Sequence, residues 1–510
     1  MNLPTFPADV ALGQRLIGRG KAAPAVQSRV LTTAVAFMLP FLLYVNTLAP
    51  TIYNLDSAEL TTAAASRGIV RATGYPLYLL LGRIWVWLPV GDVGYRLNLF
   101  SAFNGALTIA LAECILRRLP VGPWARLGAL GLLAASPYFW AMSLVAEVYT
   151  LHTALMAGVI LLCLRWRERP TTGRLVTAVF LASLSLGNHA ASVLLAPACL
   201  WLVFTVRGRQ ALRPRTLALC VAAVLAGFSI YLYLPLLHAG APAFNYAGSY
   251  NAAGIFVPVN LHTPAGLWWL VSGRAFAGQM FAYRGLDLWR EGMNFFGQLW
   301  AAFFAVGLGP GILGLVQTWR RDWRLGGFLA MLFLVNAVFY INYRVIDKNT
   351  MFLPTYVIWA LWLGVGYQAL FDWMKAAGQT PTWLARGMVA GLVIFVVAWN
   401  WPLVDLSGDY SARERGEAIL ETVKPDALVL GWWDTVPVVE YLQIVEGRRP
   451  DVVAINRFLI SGDDMELLVA EQIQQRPVYI NNPPANLLRS FNAVPTGPVY
   501  ELQERTPRRG

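Results

Sequence analysis

The chain carries little charge for its length. Of 510 residues, 13% are charged against 57% apolar, and the mean hydropathy is +0.51, which excludes an ordinary soluble domain of this size. Cysteine is scarce: Cys114, Cys163, Cys199 and Cys220 all fall in apolar runs, so they read as small packing residues and not as a disulfide framework or a metal site. The histidines His152, His189, His238 and His262 lack the spacing of paired ligands on one helix, and nothing argues for zinc. No tandem repeat is visible.

What is present is a series of long apolar runs. A helix that crosses lipid needs roughly 20 such residues, because it must satisfy its own backbone. Candidate spans begin near Val30, Leu97, Leu127, Tyr149, Leu175, Ser192, Leu217, Phe295, Leu325, Phe352 and Gly387, about eleven in all. The expected fold is mainly α, a polytopic transmembrane helical bundle.

Basic residues set the expected orientation. Arg15, Arg19, Lys21 and Arg29 precede the first span, and every second loop after it is basic: Arg117, Arg118 and Arg126; Arg165, Arg167, Arg169 and Arg174; Arg207, Arg209, Arg213 and Arg215; Arg320, Arg321 and Arg324; and weakly Lys375 and Arg386. These loops and the N-terminal segment 1–29 are expected in the cytoplasm, with Val30 to Leu48 an uncleaved signal anchor. The net charge of +12 is then mainly a topology signal, and the dispersal of the arginines argues against nucleic acid as a partner.

Residues 30–402 form the expected membrane domain, with outer loops at 49–96 and 238–294. In the first loop, Ser57 to Gly68 reads as a short helix with Ser57 as its cap, broken at Gly74-Tyr75-Pro76; "LYLLLGRIWVWLP" then suits a helix lying in the interface. The second loop is rich in Tyr, Trp, Gly and Asn, as either an ordered lid or a plain interfacial belt would be. From residue 403 to 510 the composition is that of a small soluble α/β domain. "ALVLGWW", "DVVAIN" and "PVYINN" read as strands separated by two helical segments, so parallel pairing is expected. No Gly-rich phosphate loop follows the first of these strands, which argues against a dinucleotide site.

Most acids between the first span and the tail fall on the expected outer face. Asp56 and Glu59, in "YNLDSAEL", share one face of the short helix. One reading is a solvated helix start that complements the amino-terminal dipole; the other is a carboxylate held against an apolar wall as a general base. Burial and a second acid both raise proton affinity toward working pH. Glu147 and His189 sit at outer helix boundaries, where they either mark the water line and cap a hairpin or, together with Tyr75, bind substrate. Arg344 and Lys348 flank Asp347 in an outer turn. Either they pair with that acid, or they grip a lipid phosphate with Arg274 and Arg284 behind them.

Taken in order, "NLDSAEL", "GYPLYLLLGR", "RLNLFSAFNGALTIAL", "AEVYTLH", "LSLGNH", "YLYLPL", "FLPTYVIWALWLGVG" and "DALVLGWWDT" resemble a polytopic family formerly of unknown function whose characterised animal member is a protein O-mannosyltransferase. The arrangement also resembles the C-type glycosyltransferases, which include bacterial lipid A aminoarabinose transferases. The likeness runs from about Leu31 to Phe458, and the order of the motifs carries it. The family's Asp-Ser-Gly-Glu is matched by Asp56 to Glu59 with Ala58 in place of Gly, while its His-Pro-Pro is replaced by Arg71 to Thr73. Those departures put the donor or acceptor contacts of the loop in doubt and leave the acids intact.

The resemblance implies a glycosyltransferase that passes a sugar from a polyprenyl-phosphate carrier to a protein, lipid or glycan hydroxyl on the extracytoplasmic face. It maps the catalytic acid onto Asp56 and the second acid onto Glu59. The expected location is the bacterial inner membrane, with the tail outside. No cofactor is required, and a divalent cation between the two acids stays open. The alternatives are a transporter or flippase of a lipid-linked sugar, disfavoured by span interiors nearly free of charge and by the lack of a repeated half, and an assembly or adhesion protein, which leaves the first-loop acids without a role.

Overall fold

The computed structural model describes residues 22–208, 213–345, 348–378, 382–460 and 464–505. Arg15, Arg19, Lys21, Arg209 and Asp347, used above for orientation and for the outer turn, lie outside those residues.

The apolar runs become helices. α1 (Ala22–Asn46) leads into the first outer loop, which holds α2 (Asp56–Ser66) and α3 (Pro76–Val86) before α4 (Val93–Leu116). Then come α5 (Pro123–Ala134), α6 (Pro137–Ala141), α7 (Val148–Glu168), α8 (Thr172–Leu186), α9 (Ala196–Arg207), α10 (Pro214–Phe228) and α11 (Tyr233–Ala239). The second outer loop contains the antiparallel strands β1 (Gly248–Tyr250) and β2 (Phe256–Pro258) and the short helix α12 (Pro264–Val271). α13 (Gly285–Ala302), α14 (Leu308–Arg321), α15 (Trp323–Ile341), α16 (Leu353–Ala377) and α17 (Thr382–Val404) complete the bundle.

Among the described residues, eight helices are long and apolar enough to cross a membrane, where about eleven spans were expected. The run near Leu127 breaks at Ser136-Pro137, since proline starts a helix but cannot continue one. The run near Leu175 gives only the 15 residues of α8. The run near Phe295 is split into α13 and α14, with Phe304 and Ala305 at φ 51° and 60° in the break. Close packing holds the second half together. A Cβ on Gly314 would overlap the Trp362 carbonyl and one on Gly366 the Pro310 carbonyl, so α14 and α16 approach at a distance that only glycine allows.

α2 starts one residue earlier than expected. Leu55, at φ 55°, turns the chain so that Asp56 opens the helix, and Ser57 is buried inside it instead of capping it.

The last described part of the chain is an α/β unit. After α18 (Ser411–Thr422) come β3 (Leu428–Gly431), α19 (Val436–Ile444), β4 (Val453–Asn456), α20 (Asp464–Gln472) and β5 (Val478–Ile480). β3 pairs parallel with both β4 and β5, the pairing expected of the three strand-like runs. A hairpin that the sequence reading missed, β6 (Phe491–Thr496) and β7 (Val499–Glu504), extends the sheet in the order β4-β3-β5-β7-β6. Pro495 fits because β6 is an edge strand.

This unit is fastened to the first outer loop. The Leu406 amide donates to the Thr47 carbonyl at 3.0 Å, and Arg413 approaches Asp92 at 3.4 Å while gripping Glu446 at 2.7 Å. α19 packs on α2, where Ala58 shares a core with Val438, Val439, Tyr441 and Leu442. The position at which the family's Gly is replaced is therefore filled by a methyl group facing the tail.

Candidate functional site

The site forms where the first turn of α2, the 71–75 loop, the second outer loop and the tail converge. Both acids sit in the first turn of α2, where the helix dipole favours negative charge. Their environments differ. The Glu59 side chain is 3% exposed and that of Asp56 27%.

Arg71 bridges them. Its Nη2 lies 3.3 Å from Asp56 Oδ1, its Nε 3.8 Å from Glu59 Oε2, and its backbone N–H donates to Glu59 Oε1 at 2.9 Å. The guanidinium is roofed by aromatic rings: the centroid of Trp433 lies 3.6 Å away, that of Phe458 5.0 Å and that of Phe276 5.2 Å. Such stacking holds the planar cation in one orientation. Trp433 also donates its indole N–H to Asp56 Oδ1 at 2.9 Å. It occupies the loop after the carboxyl end of β3, the edge of a parallel sheet where ligands are commonly held.

A third acid stands behind the pair. Glu440 on α19 accepts a hydrogen bond from the Tyr246 hydroxyl, which lies 3.5 Å from Asn456 Nδ2. Burial pushes Glu59 up to about 8, outweighing the attraction of Arg71, with Asp56 adding to the rise. Burial likewise lifts Glu440 to about 8, against the Tyr246 hydrogen bond and with Glu59 adding to it.

Three further expected residues share this neighbourhood. Gly74, at φ +79°, makes the turn that sets Tyr75 in place, and a side chain there would meet Leu234. The Tyr75 ring stands 6.1 Å from His189, and its hydroxyl is raised by burial and then by Asp56, with Glu59 and Glu147 contributing. The Glu147 backbone N–H donates to the Ser101 hydroxyl at 3.1 Å, and His189 faces His152 at 5.2 Å.

The expected cations are placed differently. Arg344 and Lys348 gather on Tyr283, at 5.0 Å and 4.4 Å from its ring centroid. Lys348 is buried, with Nζ 2.5 Å from Glu291, and Arg344 donates to the Ala282 carbonyl at 3.0 Å. Arg274 opens a turn whose Phe276 covers Arg71, and Arg284 precedes α13. Among the described residues neither Arg274 nor Arg284 forms an ion pair. Among the described residues, too, no three His, Cys, Asp or Glu side chains gather as a metal site.

Sequence reasoning missed Arg71, Trp433, Glu440 and Tyr246. Arg71 had left a signal, since it replaces the first residue of the family's His-Pro-Pro. Trp433 stood in a quoted motif with nothing to assign it a partner 377 residues away.

The fold is that of the C-type membrane glycosyltransferases. It matches crystal structures of ArnT from Cupriavidus metallidurans, bound to undecaprenyl phosphate and in the apo state, with TM-scores of 0.56 and 0.57, 13% identity, and coverage of 94% of this chain and 98% of that one. More particularly, residues 56–212 match the family described as the Protein O-mannosyl-transferase TMEM260 N-terminal domain, a match that starts at Asp56. The chain is 23% identical to Protein O-mannosyl-transferase tmem260 of Dictyostelium discoideum over 86% of its own length and 58% of that protein's. It is 30% identical to Protein O-mannosyl-transferase TMEM260 of Mus musculus over 36% of its own length and 27% of that protein's. The chain thus spans 58% and 27% of the relatives it matches. The resemblance read from the motifs is borne out.

Proposed function

We propose that the chain is an integral membrane glycosyltransferase that moves a sugar from a polyprenyl-phosphate donor to a hydroxyl of a protein, lipid or glycan, with Asp56 as general base. The site and the C-terminal unit would face the extracytoplasmic side, as the basic loops imply. One observation carries the reading: Asp56, part-exposed at the mouth of a helix start, is backed by a buried second acid and held by a guanidinium and an indole N–H. A plain solvated helix start has no use for that enclosure. The names of the relatives and the lipid in the ArnT structure support the same class.

In this reaction Asp56 takes the proton of the acceptor hydroxyl as its oxygen bonds to the anomeric carbon. The bond from that carbon to the phosphate oxygen breaks, and the polyprenyl phosphate leaves with the electron pair. One displacement with one base inverts the anomeric centre. Fixed cations stabilise the departing phosphate most where water is excluded. Arg71 is nearest the acids, and Arg274, Arg284, Arg344 and Lys348 are the further donors for the phosphate. Tyr75, Glu147 and His189 would line the sugar side, and Glu59, pushed up to about 8 by burial, would hold a proton beside Asp56 at neutral pH.

The test is transfer by the full chain in lipid from radiolabelled undecaprenyl-phosphate mannose to membrane and protein fractions. Wild type should label a fraction and a folded Asp56→Asn should lose at least about 100-fold of the rate. Equal rates would remove Asp56 from this role. Export of intact lipid-linked sugar without transfer would favour transport.

A further inference from the structure

Asp56 has two oxygens in unlike surroundings. Oδ1 receives the Trp433 indole N–H at 2.9 Å and faces Arg71 Nη2 at 3.3 Å, whereas Oδ2 takes no hydrogen bond among the described residues. A carboxylate that acts as a base needs one lone pair left open in a fixed direction. Two donors on the same oxygen leave the other for the acceptor.

The indole is itself held firmly. Trp433 is 5% exposed, meets Tyr246 edge-on at 5.2 Å and Phe458 at 5.3 Å, and lies under the Arg71 guanidinium. Its loop is fixed from both sides by Asn481, which accepts the Trp432 amide at 3.0 Å and donates to the Thr435 hydroxyl at 2.6 Å. Asn481 follows β5, so the neighbouring parallel strand of the sheet sets the direction of the indole N–H.

We propose that Trp433 is a positioning residue for the base, through which the C-terminal unit completes the active site and is more than a cover for it. This rests on the reading of Asp56 as the base. Its chemistry is a hydrogen bond to a carboxylate, which is stronger than one between neutral groups and directional, so losing it costs turnover more than binding.

The test uses the full chain in lipid, the undecaprenyl-phosphate mannose probe, and Trp433→Phe, which keeps an aromatic ring beside Arg71 and removes the N–H together with the five-membered ring. The expected result is a fall in kcat of about 10- to 100-fold with KM for the donor within about twofold, the size of one charge-assisted hydrogen bond. The acid limb of the pH–rate profile should move to higher pH, because one donor to the carboxylate is gone. A merely structural tryptophan would move neither the split nor the limb.

A second arm needs no turnover. In protein labelled with nitrogen-15 at the indoles, the Trp433 N–H resonance, assigned through Trp433→Phe, should shift in Asp56→Ala. An unmoved resonance overturns the contact. Wild-type kcat and pH profile in Trp433→Phe, beside an inactive Asp56→Asn, overturn the positioning role and leave Asp56 as base. An active Asp56→Asn overturns both.

Discussion

Two clusters of carboxylate and arginine lie at opposite ends of α4, and their charge balance is reversed. Toward the end of α4, Glu113 is buried between Arg117 at 3.5 Å and Arg126 at 3.0 Å, two cations around one acid. Beyond its other end, in the first outer loop, one cation, Arg71, serves Asp56 and Glu59, and Glu59 is close enough to a third acid, Glu440, to help raise it. A cluster that only ties helices together is best made neutral or cation-rich beside basic loops, as at Glu113. Crowding buried carboxyl groups around one arginine costs stability, and proteins keep such arrangements chiefly where chemistry needs them. The second region also draws its groups from four separate parts of the chain, while the first uses adjacent helices alone.

The comparison can be broken by exchange of the charges, taken here from the largest effect to the smallest. Arg71→Ala should lower transfer by about 100-fold or more, and Arg71→Lys should restore little, because a point charge replaces neither the bridge nor the stacked plane. Single-turnover assays with the labelled donor would measure this. Glu59→Gln keeps the shape and the Arg71 amide contact and fixes the side chain in its neutral form. Above pH 8, where wild-type Glu59 ionises, it should lower kcat by about 10-fold, and it should leave the protein at least as stable, since a buried carboxyl has been made permanently neutral. Equal loss of stability and rate would reduce Glu59 to a structural acid.

At the Glu113 cluster the signs reverse. Glu113→Ala leaves two arginines facing each other and should destabilise by about 1–2 kcal/mol, less than a fully buried pair because both arginines reach solvent. The rate per folded molecule should stay within about twofold of wild type. Thermal unfolding in detergent alongside transfer would separate the two effects.

The last prediction is a pH dependence of stability. Glu59 and Glu440 rise from 4.5 unfolded to about 8 folded, so the folded state binds the extra protons between those values. Their contribution is complete below about pH 4.5, declines as pH rises toward 8, and is gone above it. The unfolding midpoint of wild type should therefore fall between pH 5 and 8 by more than that of Glu59→Gln or Glu440→Gln, a slope that a pH series of melting curves would read.

Much of this was legible because it is local. The apolar runs announced helices, and the spacing of Asp56 and Glu59 put them on one face. The break at Gly74 set off Tyr75, and the three β-runs of the tail announced parallel strands. What depends on distant packing was not. Arg71 acquires meaning only when Trp433 and Phe276 close over it, and the partner of Lys348 is Glu291, which no pattern linked to it. The β6–β7 hairpin had a local signal in "PTGPV", where Gly497 at φ +60° turns the chain, yet Pro495 beside it masked the strand. The span near Phe295 failed because hydropathy alone does not register a backbone break at Phe304 and Ala305.

The most direct test of the difference between the two clusters is a side-by-side measurement of mannose transfer per folded molecule for Asp56→Asn and Glu113→Gln in the same lipid. The account predicts loss of at least about 100-fold for the first and a rate within about twofold of wild type for the second. Equal losses in both, or an active Asp56→Asn, would contradict it.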